Sequence, residues 1–222
     1  MARKNYQKEL NSLREGVIEM GELVHTQFER SIQALSDRDK EAAREVITTE
    51  DAINEHYLEL DRKCIRLLNL QQPVAGDLRF IVSSFKINTE LERIGDIAVN
   101  VAKRTEGGLP DTQTTADVLS MAKEGSTMVA DVMDAYGAVD VGTCREIIAR
   151  DDQIDQLAIH ASRQLIRGAT YIDTDATDLD PYREDAVRLL LTIDDLEQVA
   201  DHATNIAART VYMATGDDSL LE

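Results

Sequence analysis

Tryptophan is absent from this 222-residue chain, and there are only three prolines, eleven glycines and nine other aromatic residues. So few breakers leave room for long uninterrupted elements. The Leu/Ile/Val/Ala-rich composition makes those elements helices, not the turn-dense strands of a sandwich or barrel. Cysteine is scarce: Cys64 and Cys144 stand about eighty residues apart in helical-looking segments. They read as two reduced core thiols of a cytosolic protein, not as a disulfide or zinc framework. No apolar run approaches the roughly 18 residues needed to cross a bilayer. The opening Met-Ala-Arg-Lys-Asn-Tyr leads into a charged helix without the pattern of a signal peptide.

Positive charge is also short. The formal net charge is −18, and of 24 basic residues 17 are Arg and 7 Lys. Such a surface repels phosphate backbones, which excludes direct binding of nucleic acid. An acid-rich, lysine-poor surface is also what a high-salt cytoplasm selects. Catalytic signatures are missing too. The sequence has no GxSxG elbow and no GxxxxGK[ST] phosphate loop. A ferritin-like di-iron site needs two ExxH motifs, and only His25 has a Glu three residues before it, at Glu22.

What is present is apolar periodicity. Leu10, Leu13, Val17, Met20 and Val24 recur at three and four, which predicts a first helix over about Tyr6 to Ala34. Ser36 and Asp37 are candidate caps for a second helix, Asp39 to Leu70. Gln71-Gln72-Pro73 breaks the chain before a third, Val74 to Arg104. Gly107-Gly108-Leu109-Pro110 is the clearest interruption. A fourth helix spans about Thr114 to Tyr136, with Gly137 as its expected stop, and a fifth spans Val141 to Gly168. A Thr/Asp-rich loop then leads to Asp180-Pro181, the cap and first turn of a sixth helix that runs to about Ala214. The expectation is an all-α chain of two tandem three-helix bundles: residues 1–106, a linker at 107–113, residues 114–216 and an acidic tail at 217–222.

Self-similarity supports the duplication. Leu91 to Thr105 aligns without a gap on Leu196 to Thr210, with eight of fifteen pairs identical. The preceding helices align more weakly, Glu50-Asp51-Ala52-Ile53-Asn54 facing Asp151-Asp152-Gln153-Ile154-Asp155. Residues four apart share a helix face, so Glu92, Asp96 and Asn100 form one line and Glu197, Asp201 and Asn205 another. Like charges on one face repel unless a cation neutralises them, and oxygen-rich sites suit hard or borderline metals. Glu50 and Asn54 in the first repeat, and Asp151 and Asp155 in the second, supply a second helix to each stripe. The competing reading is a solvated acidic face. Asp77 and Arg79, just inside the third helix, have an anion near the helix start as a functional reading, with capping and a surface ion pair as the simpler one. His202 reads as an interhelical polar contact.

Three segments carry a family likeness: Gln72-Pro73-Val74-Ala75-Gly76-Asp77-Leu78-Arg79, then Glu90-Leu91-Glu92-Arg93-Ile94-Gly95-Asp96, then Asp201-His202-Ala203-Thr204-Asn205-Ile206. Together they resemble the hallmark segments of PhoU proteins, over essentially the whole chain. The resemblance implies a helical regulator of phosphate uptake and phosphate homeostasis that restrains the Pst ABC transporter. It implies contact with the transporter ATPase subunit, with a phosphate-sensing histidine kinase in many bacteria, and a homodimer. It further implies multinuclear iron or zinc held by E(D)xxxD motifs, here Glu92 with Asp96 and Glu197 with Asp201, with the helix 2 and helix 5 residues as the second arm. Departures are Gln198 where Arg is usual, Ala200 opposite Gly95, and Asn54 opposite Asp155, so the two sites are expected to differ. The alternatives are a carboxylate-bridged metalloprotein, either a di-iron-like enzyme or a metal store, and a purely structural scaffold.

Overall fold

The apolar stripe of the first helix does go inside: Leu10, Leu13, Val17, Met20 and Val24 are between 0% and 4% exposed. That stripe extends into a longer element than its spacing alone marks. In the computed structural model, which describes residues 2–70, 73–105, 107, 109, 112–170 and 180–221, six helices follow one another. They are α1 Ala2–Asp37, α2 Lys40–Leu70, α3 Ala75–Arg104, α4 Gln113–Ala138, α5 Val141–Thr170 and α6 Asp180–Thr215. No strand occurs among the described residues, and no described helix is long and apolar enough to cross a membrane.

Helix ends show where local chemistry outruns simple punctuation. The turn after α1 comes later than the expected Ser36–Asp37 caps. Arg38 adopts φ 58, and Asp39 caps α2 by accepting from the Glu41 and Ala42 amides at 2.9 and 3.1 Å. Gly137 does not stop α4. The helix continues to Ala138, and the left-handed residue is Val139, at φ 56 and ψ 42. Asp140 then opens α5, its Oδ1 accepting from the Gly142 and Thr143 amides. Thr112 caps α4 through its hydroxyl, which accepts from Thr115 N at 3.2 Å. The N-cap position of α3 is Val74, whose side chain makes no capping bond, and Asp77 is the acid of the first turn. The Gln71-Gln72 break, Gly108, Pro110, the loop at 171–179 and the side-chain cap at Asp180 lie outside the described residues.

Each bundle packs its own three helices: α1 and α2 on α3, and α4 and α5 on α6. The bundles meet through α3 against α6 and α1 against α4. One main core results, with a small separate cluster of Ala34, Ala43, Val46 and Ala102. Leu13, Leu60, Ile94, Met128, Ile147 and Ile206, one from each helix, belong to a single buried cluster. Across it, fully buried Tyr136 of α4 bonds Ser84 of α3 at 2.9 Å. Arg14 of α1 lies over the Phe80 ring at 4.8 Å and donates to the Tyr136 carbonyl at 3.2 Å. Cys64 and Cys144 are free and buried. Burial pushes their thiols up to about 12 and about 11.

The order across the molecule is therefore α2, then α1 and α3, then α4 and α6, then α5. Glu90 of α3 meets His202 of α6, while Arg104 of α3 meets Asp195 of α6. One number rises as the other falls, so α3 and α6 run antiparallel. That places the carboxylate stripes side by side at the middle of the molecule.

Candidate functional site

Four of the sequence-predicted residues come together on α5 and α6. Asp151 and Asp155 lie one turn apart on α5 and are half-buried, and Asp201 faces them from α6. One carboxylate oxygen from each lies within 4.8 Å of the other two. Three oxygens this close together can converge on one cation with small side-chain adjustments. Glu197, one turn before Asp201, adds its charge: it is among the groups that raise Asp151. Burial and then the charges of Asp201, Asp155, Asp152 and Glu197 push the Asp151 carboxyl up to about 6. Glu197 is raised by burial and by Asp155, Asp201 and Asp194. Asp201 is raised by burial and by Asp155, against a lowering pull from His202.

The donor set fits a metal on a second ground. Asp151 Oδ1 is buried and has no hydrogen-bond partner among the described residues. A buried acceptor without a donor is costly unless something absent from the chain itself satisfies it. Asp151, Asp155 and Asp201 would hold such an ion, with Glu197 one turn away. A bound divalent ion supplies positive charge that removes the mutual repulsion of these acids.

The first repeat is arranged differently. Among the described residues, no set of three acids converges there. Glu92 is half-buried and its carboxyl is raised by burial and by Asp96, with a lowering contribution from Arg93 and a raising one from Asp61. Glu50 and Asn54 are half-buried on α2. Asp96 and Asn100 are exposed and line a hollow of about 330 Å³ at the seam, shared with Arg93, Asp195, Gln198 and His202. The physical difference lies in two positions. Asn54 brings no charge where Asp155 stands, and Arg93 brings a cation where Gln198 stands. Repeat 1 thus relieves its own repulsion with a side-chain cation and an amide. Asn205, expected in the α6 stripe, is exposed and helps to lower the carboxyl of Glu90 in the other repeat.

The seam carries residues that the stripe argument missed. His202 Nδ1 lies 2.7 Å from Glu90 Oε2, both side chains nearly buried at 12% and 13% exposure, which is the interhelical contact expected of His202. Burial alone would raise the Glu90 carboxyl, but the His202 hydrogen bond and charge outweigh it and hold it below its ordinary value. At the equivalent position of the second repeat, Asp195 crosses back to pair with Arg104. The signal was available: Glu90 and Asp195 stand immediately before the two aligned segments. Asp61, which accepts from Asn88 Nδ2 at 3.3 Å, lies about two turns on from Asn54 along the same face of α2.

One contact has the membership of a hydrolytic triad but not its wiring. His25 Nε2 lies 2.9 Å from Ser126 Oγ and 3.7 Å from Glu29 Oε1. Both partners sit on the same ring nitrogen, so the acid cannot orient the imidazole while the ring takes the serine proton.

Comparison with known proteins decides the family. The PhoU domain profile matches residues 17–105 and again 118–210. The chain belongs to the PhoU family. A PhoU homolog of Clostridium acetobutylicum, described as a phosphate-specific transport system accessory protein, is 30% identical over 219 residues, covering 97% of each chain. The Caulobacter vibrioides protein of the same description is 33% identical over 97% of this chain and 92% of its own. The fold matches the crystal structure of PhoU from Pseudomonas aeruginosa with TM-score 0.88, at 30% identity, over 96% of this chain and 100% of that one. It matches the phosphate transport system regulatory protein PhoU from Streptococcus pneumoniae with TM-score 0.84, at 30% identity, over 96% and 98%. The two profile matches coincide with the two bundles, so the PhoU repeat and the three-helix bundle are the same unit.

Proposed function

We propose that this PhoU protein is a non-enzymatic regulator of phosphate uptake, acting by contact with the ATPase subunit of a phosphate ABC transporter in the cytoplasm. The observation that carries the reading is similarity over nearly the whole length, both repeats included, to proteins described as accessory to phosphate-specific transport. The direction is restraint of uptake when phosphate is plentiful. A phosphate-sensing kinase and a second copy of the chain are further partners on the same footing.

Metal binding is the second part of the reading, and one specific feature favours it: the orphaned Asp151 oxygen facing two further carboxylates. The family resemblance points to iron or zinc. The all-oxygen donor set also suits manganese or calcium, because carboxylates are hard ligands. A single ion in repeat 2 follows more directly from the residues than matched clusters in both.

Two experiments test this. Phosphate uptake is measured in cells lacking the protein and in cells restored with it. Unrestrained uptake in the deletion is expected, and unchanged uptake at high phosphate would overturn the regulatory reading. Elemental analysis of protein purified without chelator or nickel then compares wild type with Asp155→Asn/Asp201→Asn and with Glu92→Gln/Asp96→Asn. Loss of metal in the first variant alone is the expected result. Equal metal in all three would leave the acids as a solvated face.

A further inference from the structure

Duplication allows the chain to be compared with itself outside the carboxylate stripes. At the offset that pairs Glu50 with Asp151, Leu58, Arg62, Ile65 and Arg66 of α2 fall on Ile159, Arg163, Ile166 and Arg167 of α5. Three of the four pairs are identical. The residues between them have diverged: Glu59 faces His160, Asp61 faces Ser162 and Lys63 faces Gln164. Core packing does not explain the retention. Leu58, Ile65, Ile159 and Ile166 are 47%, 52%, 43% and 59% exposed, and all four arginines are exposed. A single exposed isoleucine needs no account. The same apolar-and-arginine set kept on one helix face of both repeats does.

These residues occupy outer edges. Among the described residues, α2 packs only on α1 and α3, and α5 only on α4 and α6. Each set covers about 12 Å of helix at 1.5 Å per residue. Among the described residues, Arg62, Arg66 and Arg163 enter no ion pair. On the α1 side of the α2 edge, Arg62 and Arg66 themselves line the adjoining hollow with Lys63, and Glu15, Glu19 and Glu59 balance their charge there.

We propose that the two edges dock acidic helices, with apolar residues every three to four positions, of the protein that this chain regulates. The inference rests on the regulatory reading above and names the surface that serves it. Charge selects the partner. A chain of net charge −18 turns acidic segments away over most of its surface and accepts them where arginines frame an exposed isoleucine, which fixes orientation as well as affinity. An anionic bilayer is disfavoured by the same net charge. Two edges per chain imply two partner copies.

The test uses the full chain, the purified ATPase subunit of the phosphate transporter from the same organism, and binding measured at two salt concentrations. Arg62→Glu/Ile65→Ser disables one edge, Arg163→Glu/Ile166→Ser the other, and circular dichroism checks that both variants fold. Expected are two ATPase copies per wild-type chain, affinity that falls as salt rises, one copy per single-edge variant, and at least tenfold weaker binding when both edges are changed. Wild-type binding that both variants retain in full overturns the docking inference and leaves the regulatory reading standing. A wild type that does not bind the ATPase overturns the regulatory reading itself. Two further results overturn the inference in favour of another occupant. One is edge-dependent sedimentation with phosphatidylglycerol vesicles while ATPase binding is unchanged. The other is an edge-dependent fall in mass by light scattering without ATPase, which assigns the edges to a second copy of this chain.

Discussion

Asp151→Asn should stabilise the metal-free protein, an unusual outcome for a mutation at a candidate ligand. The Asp151 carboxyl is raised from 3.8 to about 6 by burial and its acidic neighbours. A carboxyl raised on folding takes up protons relative to the unfolded chain, so its ionisation opposes the fold. The penalty is absent well below pH 4, grows as pH rises from about 4 to about 6, and is full above that. A shift of about two units corresponds to a ceiling of about 3 kcal/mol at 1.36 kcal/mol per unit. The site is half open to water, and screening reduces this to about 1 kcal/mol. For a chain of this size that is a rise of roughly 2–4 °C in melting temperature. The assay is thermal and urea unfolding of both proteins in excess chelator at pH 7.5 and pH 4.5. The asparagine variant should be the more stable at pH 7.5, and the gap should shrink towards pH 4. Added metal should reverse the order, since only wild type keeps all three carboxylates and ligand binding stabilises the native state. A variant equal to or weaker than wild type in chelator at pH 7.5 would refute the reasoning.

Arg104→Met leaves Asp195 at the seam without its cation, and its side chain is only 10% exposed. A loss of about 3 kcal/mol is expected by chemical denaturation, and a change under 1 kcal/mol would contradict a buried pair. Val139→Gly replaces a β-branched residue at φ 56 and should raise stability by about 1 kcal/mol in the same assay. A destabilised glycine variant would show that Val139 is held there by contacts. Cys64 and Cys144 should resist a thiol reagent at pH 8 in native protein, since burial lifts both thiols to about 12 and about 11. Both should react at once in denaturant, and fast native labelling would mean that the core opens.

Much of the fold was legible because long amphipathic helices announce themselves. α5 begins at Val141 as expected, and α3 ends at Arg104. The misses are local. A glycine at 137 was expected to stop α4, yet the left-handed turn falls two residues later on Val139, where the Asp140 cap of α5 fixes it. Asp39, and not Ser36 or Asp37, caps α2 because the left-handed turn falls on Arg38. For the site, the repeat placed Asp151, Asp155 and Asp201 on facing helices, where the structure also brings them together. Repetition alone suggests a matching set in repeat 1, but Asn54 opposite Asp155 and Gln198 opposite Arg93 already set the two sites apart in the sequence. A one-charge change at Asn54 and a cation at Arg93 are invisible to spacing and decisive in electrostatics. The seam pairs escaped because interhelical partners more than ninety residues apart leave no period to read.

The crossing of Glu90 and Asp195 has a consequence for the symmetry of the chain. Each sits at the same place in its repeat, and each reaches into the other one. An interface in which equivalent positions face opposite halves has the form of a two-fold contact between identical subunits. Were Glu90 set at the place of Asp195, it would meet Arg104 across a dyad, and the partner copy would do the same. The seam thus has, within one chain, the layout of a symmetric contact between two single repeats, and His202 at the position of Ile97 is where the two halves depart from it.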